Sequence, residues 1–531
     1  MNKRYILRGL VVLLVVVLIF VATPFSLLAN SFNAPTYIRV GLESHFLEQD
    51  QITIHSNTLA VGVFSAGRFD VSGFLSSSNN FIAQPDGGTY VRLAYNFNNL
   101  TQAQQTAAGY PSAIPALTDV GVWVLYLPAP NMETAQQTAA ALPGAAAVAP
   151  SSRRVRLSAG GVPVTIGDVN LQLQDMGGIT SLGVRSYRGF IELGRFANNR
   201  ITAVNIVNIE DYLLSVVPSE MPASWHIEAL KAQAVAARTF TVFRLGRMAS
   251  RGYDLCDTTF SQVYSGVANE HENTTRAVNE TRGMLIFHNG LPIEAVYSSS
   301  SGGVTENSEN AWGTALPYLR SVQEINEPGA REWTRTVTLS QINQFLAAQN
   351  VNIGGATAIR LDKSPQGRVQ ELTIIGATGN HIVRLESIRS FFTPSLDSRN
   401  FTIIGGTTTT TTQMPTQNHS LALQQAFVRN SVGAVTSTNL PGLHVIGVAG
   451  NSVIGNSVSV AGAGGTANLG GTVQGGQTAA TVTSIGYSIE LSGRGWGHGV
   501  GMSQHGAHGM AQMGFDFRQI LMHYYTGVVI N

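Results

Sequence analysis

Apolar and polar positions divide this chain into many short strand-like segments and a few helical ones. Between residues 37 and 64, the runs YIRVGL, ITI and LAVGVF are rich in β-branched residues and are separated by polar turns, which predicts strands. The runs VRLSA, VTIGDVNLQL, YRGFIELGRF and ITAVNIVNI continue this pattern between residues 153 and 209. We therefore expect sheets of short strands in this half of the chain.

A helix is predicted directly after the second group of strands. Ser224 is placed to cap it, and five residues recur at helical spacing to form one buried stripe: Ile227, Leu230, Ala234, Ala237 and Thr241. Lys231 and Arg238 are seven residues apart, so they project from nearly the same face, on a different side from the stripe.

An internal repeat lies between the two groups of strands. The string AQQTAA begins at Ala103 and again at Ala135, 32 residues later, each time after a strand-like run and a polar turn. Two β-α units of this kind predict a small sheet with helices on one face. The repeat resembles the sporulation-related (SPOR) repeat domain, which implies binding to peptidoglycan strands stripped of their stem peptides. An ordinary α+β module fits these residues nearly as well.

The region 331–485 is predicted to be an insertion. The runs TLSQINQFLAAQ, AIRLDK and VQELTIIG indicate a small αβ unit, whereas 407–420 is a threonine-rich, low-complexity segment. The Gly/Ser/Val-rich segment 449–476 can bury little apolar surface, although it has room for short exposed strands.

The N-terminus is typical of an export signal. Lys3, Arg4 and Arg8 precede a charge-free stretch of about 20 residues, which is long enough to span a bilayer. Leu27 occupies a position where cleavage prefers a small residue, so an uncleaved anchor is favoured over a cleaved signal peptide. In either case we expect the rest of the chain outside the cytoplasm.

Composition excludes several classes of function. Charged residues are only 12% of the 531 residues and the formal net charge is +1, so nucleic acid is not an expected partner. Cys256 is the single cysteine, which fits a buried small side chain better than a reactive thiol. His498, His505 and His508 lack zinc-site spacing, so no metal and no other cofactor is predicted.

Glu220 is the strongest candidate for chemistry. It lies between Pro218 and Pro222, immediately before the helix with Lys231 and Arg238, an arrangement that can control the pKa of a carboxyl group. The alternative without catalysis is that its negative charge interacts with the start of the helix.

A hydrolase of glycosidic bonds normally needs a second carboxylate. The nearest in sequence are Glu210, Asp211 and Glu228. Glu228 suits an ordinary ion pair with Lys231, three residues later in the helix. Glu210 and Asp211 precede a hydrophobic run and are explained by a cap or a turn. Glu220 is then the carboxyl group in this region that remains as the candidate for catalysis.

The C-terminal segment 491–514 has glycine at every second position from Gly493 to Gly501. This alternation predicts an extended strand with one bare face, across which a bulky ligand can approach the backbone. The other face carries Arg494, Trp496 and His498, and the tryptophan offers a surface for stacking on a sugar ring. Close strand packing is the alternative that needs no ligand.

Four blocks of the sequence together resemble the stage II sporulation protein D family, which includes amidase enhancers. The blocks are IEDYLLSVVPSEMPASWHIEALKAQAVAARTF, CDTTFSQVYSG, IEAVYSSSSGGVTENSENAWGTALPYLRSV and GRGWGHGVGMSQHGAHGMAQMGFDFRQILMHYYTG. The resemblance implies a lytic transglycosylase that cleaves denuded peptidoglycan strands in sporulation or cell-wall remodelling. It implies Glu220 as the catalytic acid, with the sugar's own C6 hydroxyl replacing a second carboxylate and leaving a 1,6-anhydro-N-acetylmuramic acid end.

The resemblance also implies a set of substrate-binding residues. Lys231 and Arg238 would orient substrate groups or tune Glu220. The loop 298–303 and the segment 493–504 would line the groove, with these residues as candidates: Ser298, Ser301, Gly302, Arg494, Trp496, His498 and Gln504.

This chain departs from the family at one place. Relatives commonly have a His-Cys pair where this chain has Phe260 and Ser261, and a zinc in some relatives uses the Cys and His of this block. Only Cys256 remains, so the metal is not carried over. The implied partners are peptidoglycan glycan strands, a cell-wall amidase or endopeptidase, and a membrane partner. A non-enzymatic amidase activator and a glycan-binding scaffold stay open as alternatives.

The expected fold is α+β, with sheets of short strands, a central catalytic helix, a SPOR-like βα repeat module and insertions. The predicted order is a signal peptide or anchor (1–30), N-terminal strands (31–85), the repeat module (86–150), the catalytic core (151–330), the insertion (331–485), and a Gly-rich strand and helix that complete the core (486–531).

Overall fold

The computed structural model describes residues 34–405 except 169, 196 and 197, then 481–531, and between these only the backbone of several short strands. The predicted signal or anchor segment and most of the threonine-rich segment lie outside the described residues. The chain divides into two compact units. The first comprises Met1–Glu309, Thr314–Arg331 and Trp496–Asn531, and the second comprises Asn310–Gly313 and Glu332–Gly495.

The first unit contains a seven-stranded sheet, and one of its strands, Thr202–Asn208, is followed directly by the helix that ends at Glu220. Neighbouring strands are antiparallel except for one parallel pair at the edge, Tyr37–Gly41 with Leu255–Cys256. The order is Leu255–Cys256, Tyr37–Gly41, Thr202–Asn208, Phe190–Gly194, Leu171–Asp175, Thr58–Ser65 and Arg68–Ser76. Strand Thr202–Asn208 is buried along almost its whole length, as its β-branched run predicts.

A second sheet of ten strands contains the repeat. The order is Arg185–Arg188, Ile179–Leu182, Ile52–His55, Phe81–Pro85, Val155–Ala159, Val162–Gly167, Ile114–Leu117, Trp123–Ala129, Thr89–Arg92 and Ala146–Val148. Val162–Gly167 and Ile114–Leu117 are parallel, and all other neighbours are antiparallel.

Both halves of the repeat contain the predicted strand and helix. Each half also has a second strand, so the module reads strand, helix, strand twice: Thr89–Arg92, Leu100–Ala107, Ile114–Leu117, then Trp123–Ala129, Met132–Ala141, Ala146–Val148. The antiparallel order of these four strands is the split βαβ arrangement. The helix caps repeat as well, because Asn99 and Asn131, 32 residues apart, each accept a backbone N–H three residues later. The likeness to a SPOR domain stays a prediction.

Helix Ile227–Arg244, called the alanine-rich helix below, is buried on almost all sides rather than along one stripe. It packs against four helices, Ile209–Glu220, Glu272–Glu280, Gln504–Gln512 and Phe517–Tyr524. Its small side chains allow this close approach. The predicted cap at Ser224 is wrong: the cap is His226, whose Nδ1 accepts the N–H of Glu228 at 3.3 Å. Ser224 instead lies in a turn closed by the Trp225 N–H and the Pro222 carbonyl.

The second unit is a smaller α+β unit with its own hydrophobic core. Its three-stranded sheet has the order Glu332–Thr338, Ser488–Arg494, Phe401–Gly405, and its five-stranded sheet has the order Asn380–Arg384, Val369–Gly376, Ala356–Lys363, Thr481–Ser484, Thr409–Thr411. Helices Leu339–Ala348 and Ser387–Phe391 complete it. The unit covers the predicted insertion and adds strand Ser488–Arg494, which the sequence analysis assigned to the C-terminal part of the core.

The remaining elements are short. In the first unit they are helix Glu43–Phe46, strands Ile286–His288, Leu291–Pro292 and Val529–Ile530, and the strand pair Tyr297–Ser298 with Met502–Ser503. Helix Glu309–Trp312 joins the two units in sequence. Three hairpins follow strand Thr409–Thr411: Ala426–Arg429 with Val435–Thr438, Leu443–Gly447 with Gly450–Ile454, and Val458–Gly462 with Gly465–Leu469. The α+β class is confirmed. Among the described residues, no helix is both long and apolar enough to cross a membrane.

Candidate functional site

Glu220 is the last residue of helix Ile209–Glu220, and the preceding strand fixes where this helix starts. Strand Thr202–Asn208 runs straight into it, with the Asn208 side chain accepting the N–H of Glu210 at 2.9 Å. Pro218 lies in the last turn, and Met221 is extended and buried. The fixed φ of proline stiffens the backbone on both sides of the carboxylate, because Pro222 follows directly after Met221.

The Glu220 carboxylate is partly buried and accepts hydrogen bonds from the protein. The N–H of Val263 donates to Oε1 at 3.0 Å. The side chains of Tyr297 and Gln504 also hydrogen-bond to it. Burial raises the pKa of Glu220, and these three hydrogen bonds oppose the rise without cancelling it. A negative charge at the C-terminal end of a helix is itself disfavoured, which acts in the same direction as burial.

The start of the alanine-rich helix is not among these partners, since His226 caps it. The hydrogen bonds of Glu220 are thus made to other segments, and its charge interaction with that helix start stays an untested alternative.

A buried network orients the Tyr297 hydroxyl toward Glu220. Gln262 donates from Nε2 to the Tyr297 oxygen at 2.9 Å, so the single hydroxyl proton remains for Glu220. Gln262 is held in turn, because its Oε1 accepts from Tyr212 at 3.1 Å and from Thr241 at 2.9 Å. Burial and the Glu220 charge raise the pKa of Tyr297 well above its usual value. Tyr297 therefore stays a neutral donor.

The two segments that the resemblance placed in the groove are neighbours in the structure. Strand Tyr297–Ser298 pairs in parallel with Met502–Ser503. Ser300 and Trp496 exchange backbone hydrogen bonds of 3.1 and 2.9 Å. Loop 298–303 and segment 496–504 are thereby joined beside Tyr297 and Gln504, the two side chains that reach Glu220.

The predicted glycine strand is wrong beyond Arg494, where the strand ends. Gly495, Gly497, Gly499 and Gly501 have φ values of 80°, 103°, 72° and 72°, so the alternation reflects a loop of left-handed glycines. Gly501 is also needed for space, because a Cβ there would lie 2.1 Å from the Val296 carbonyl oxygen. Periodicity alone does not distinguish these uses of glycine.

Glu327 and Glu324, which the sequence did not indicate, hold the loop 298–303. Glu327 also links this loop to the start of helix Gln504–Gln512. Glu327 accepts the N–H groups of Ser301 and Gly303 at 2.6 and 2.9 Å, and the Ser503 hydroxyl at 2.8 Å. Glu324 accepts the Ser301 hydroxyl at 2.6 Å. The Ser503 oxygen caps helix Gln504–Gln512 at the same time. No sequence motif marks these two residues.

Lys231 and Arg238 project from the same side of their helix, as predicted, and both are paired with protein carboxylates. Arg238 is buried and donates to both oxygens of Glu210, from Nε at 2.9 Å and from Nη2 at 2.7 Å. Lys231 lies 2.8 Å from Glu228, the predicted helix pair, and 2.7 Å from Glu280. The described contacts of Arg238 are with the protein interior. A substrate-binding role for either residue stays a prediction.

The other candidates lie in or beside the glycine loop. Trp496 is 42% exposed, and the guanidinium carbon of Arg331 lies 3.8 Å from its ring centroid. His498 accepts the Val500 N–H on Nδ1 at 3.0 Å. Arg494 ends a strand of the second unit, 3.5 Å from Glu332. Ser298 is buried and Gly302 has a φ of 74°, both in the loop that Glu327 holds.

Cys256 is buried, as expected for a structural thiol. Its Sγ lies 3.2 Å from the Thr258 hydroxyl and 3.4 Å from that of Ser261. In the part of the chain that the structure describes, no group of three His, Cys, Asp or Glu side chains is arranged to hold a metal ion.

Comparison with known proteins finds a family match in the part of the chain around Glu220. Residues 197–288, which include Glu220, Gln262 and Val263, match the family model described as stage II sporulation protein, SpoIID. This part of the chain is similar to the stage II sporulation protein D family. Tyr297 and Gln504 lie outside the matched range.

Three relatives show how far the similarity extends. The amidase enhancer of Bacillus subtilis is 32% identical over 320 residues, which are 60% of this chain and 40% of that protein. The stage II sporulation protein D of Bacillus subtilis is 29% identical over 346 residues, 62% of this chain and 76% of that protein. An uncharacterised protein of Brachyspira hyodysenteriae is 28% identical over 336 residues, 63% and 69% respectively. The match thus spans less than half of the amidase enhancer.

Proposed function

We propose that this protein is a lytic transglycosylase that cleaves stem-peptide-free peptidoglycan strands, with Glu220 as the only acid and base. Similarity to the stage II sporulation protein D family supports a role in cell-wall remodelling linked to sporulation. The observation that carries the specific reaction is the Glu220 environment. Its carboxyl group has a raised pKa, and it is oriented by Val263, Tyr297 and Gln504, none of which is a second carboxylate.

The proposed reaction needs one proton donor that becomes a proton acceptor. Protonated Glu220 gives its proton to the glycosidic oxygen as the bond from the anomeric carbon to that oxygen breaks. The C6 hydroxyl of the same N-acetylmuramic acid then forms a bond to the anomeric carbon and returns its proton to the Glu220 carboxylate. The products are a free hydroxyl end and a 1,6-anhydro end. No water is consumed, which fits a site with a single carboxyl group.

The hydrogen bonds at Glu220 suit both halves of this cycle. The raised pKa favours the neutral acid at the start, and the donors Val263, Tyr297 and Gln504 stabilise the carboxylate that forms in the transition state. A buried carboxyl group without hydrogen-bond donors would have too high a pKa to release its proton. A fully exposed carboxyl group would have too low a pKa to stay protonated. The predicted substrate side chains along the loop, Trp496 among them, would bind the flanking sugars.

A second candidate is a non-enzymatic activator of a cell-wall amidase. The observation in its favour is the 32% identity to a protein named amidase enhancer. In that case the groove would grip glycan, the partner enzyme would do the cleavage, and Glu220 would serve binding only. Both candidates place the protein outside the cytoplasm, at the membrane or the cell wall.

The two candidates differ in what the purified protein does alone. Chain lacking residues 1–30 is incubated with stem-peptide-free glycan, and in parallel with intact wall plus an amidase. A transglycosylase solubilises the first substrate without a partner, and Glu220→Gln abolishes this. An activator leaves the first substrate intact and raises amidase activity on the second.

A further inference from the structure

The second unit contains a cavity of about 480 Å³ that the proposed reaction does not use. It opens along the three-stranded sheet, and its walls come from strands Glu332–Thr338, Phe401–Gly405 and Ser488–Arg494 together with Lys363. This volume is within the range of pockets that hold small molecules, roughly 300–1,000 Å³. Every lining residue belongs to the second unit, whereas Glu220 belongs to the first.

Lys363 gives the cavity a cation without a counterion. Its side chain is half-buried at the end of strand Ala356–Lys363, and burial lowers its pKa. Its ammonium group makes neither an ion pair nor a hydrogen bond with the described residues. A desolvated ammonium without a partner is destabilising, and an anionic ligand would reverse that cost. Arg494 adds a second cation to the wall, and Glu332 is the one acidic residue there, which leaves an excess of one positive charge.

One wall of the cavity is a fixed aromatic surface. The Trp333 ring lies flat against Gly493, where a Cβ would be 2.2 Å from its Cζ2 atom. The indole N–H donates to the Ser398 hydroxyl at 3.3 Å, and the Phe401 ring lies near it, tilted by 49° at a centroid separation of 6.0 Å. Trp333 is therefore held in place, and it is a partly exposed residue of the cavity lining.

Polar groups surround this aromatic wall. Thr334, Asn400 and Ser492 contribute hydroxyl and amide groups to the lining. A pyranose ring matches such a surface, because its C–H face packs on an aromatic ring while its hydroxyl groups reach donors and acceptors at the edge.

We propose that this cavity binds a sugar that carries a carboxylate, with the carboxylate paired to Lys363 and the ring on Trp333. The site would hold a single acidic saccharide unit. It would add a glycan contact in the second unit, whether or not Glu220 cleaves.

The chain offers a direct probe, because it has only three lysines, Lys3, Lys231 and Lys363. Reductive methylation with ¹³C-formaldehyde labels each ammonium group, and Lys363→Arg assigns its signal. Three sugars are titrated: N-acetylmuramic acid, glucuronic acid, and N-acetylglucosamine, which lacks the carboxylate of the first. We expect at least one acidic sugar to shift the Lys363 signal and raise its apparent pKa. Lys231, already paired with Glu228 and Glu280, is the internal control.

The proposal is overturned if neither acidic sugar moves the Lys363 signal, or if N-acetylglucosamine or the Lys231 signal responds equally. The acidic sugar that binds identifies the source of the carboxylate. By ligand-observed NMR on the unmethylated chain, Lys363→Met should weaken binding about tenfold or more, as loss of a charged hydrogen bond predicts. Glu220→Gln should leave the response of the labelled Lys363 signal unchanged, which separates failure of this site from failure of the proposed catalysis.

Discussion

The Ser503 hydroxyl donates to Glu327 at 2.8 Å, and this hydrogen bond joins the loop 298–303 to the helix that begins with Gln504. Because the same carboxylate also accepts two N–H groups of the loop, one side chain sets the separation of the two segments beside Glu220. Glu327 therefore positions Gln504 and Tyr297, although its own hydrogen bonds are to Ser301, Gly303 and Ser503 and not to Glu220.

Replacing Glu327 by Gln tests this role. An amide presents a donor where Ser301 and Gly303 supply N–H groups, so at least one hydrogen bond is lost, at a cost of about 1–3 kcal/mol. We expect kcat to fall by about tenfold to a hundredfold with a smaller change in KM, because misplaced catalytic groups slow the chemical step.

The matched control for that change is Glu309→Gln, which removes an ion pair with Arg320 elsewhere in the first unit. It should lower stability slightly and leave kcat unchanged. Equal kcat values for the Glu327 variant and wild type would show that the loop does not depend on this carboxylate.

Arg238 is predicted to act through stability rather than through substrate. Arg238→Met leaves Glu210 buried without its partner, which should cost about 3–5 kcal/mol in urea unfolding. Lys231→Met removes a more exposed pair and should cost no more than about 1 kcal/mol.

The double variant Arg238→Met/Glu210→Leu separates the two roles. An apolar pair of similar volume should recover most of the lost stability and, with it, the activity. Recovery of stability without activity would instead support the predicted contact between Arg238 and substrate.

Glu220 should make stability fall as pH rises. Its folded pKa is raised, so between the unfolded value, about 4.3, and the folded value the folded protein holds more protons than the unfolded chain. Stability therefore decreases through that window and stays lower above it. Glu220→Gln lacks this titration, so it should melt higher than wild type at pH 8, and the difference should be smaller at pH 4. A larger advantage at pH 4 would contradict the direction of the shift.

The glycine loop predicts a difference between two Gly→Ala changes. Gly501 and Gly246 have similar φ values of 72° and 74°, so alanine should cost each about 1–2 kcal/mol. A Cβ at Gly501 also meets the Val296 carbonyl at 2.1 Å, whereas nothing lies within 4 Å at Gly246. Thermal unfolding should therefore show a clearly larger loss for Gly501→Ala. Equal losses would mean that the loop moves to make room.

The sequence was most informative where local pattern and chemistry coincide. The strand Thr202–Asn208 and the Glu228–Lys231 pair follow from residues near each other in the chain. Helix Ile209–Glu220 was not predicted, and the cap of the next helix is His226 rather than Ser224. Tyr297, Gln262 and Glu327 were missed because their roles depend on contacts between segments 21 or more residues apart. The glycine loop was misread because alternation serves an extended strand and a series of positive φ angles equally well.

The central claim is that Glu220 cleaves glycan without water, and the mass of the new chain ends tests it most directly. Wild type and Glu220→Gln are incubated with stem-peptide-free glycan strands, and the released fragments are analysed by mass spectrometry. The account predicts 1,6-anhydro ends, lighter by one water than reducing ends, from wild type only, with the rate in Glu220→Gln lower by at least about a hundredfold. Reducing ends from wild type, or anhydro ends at an undiminished rate from Glu220→Gln, would contradict it.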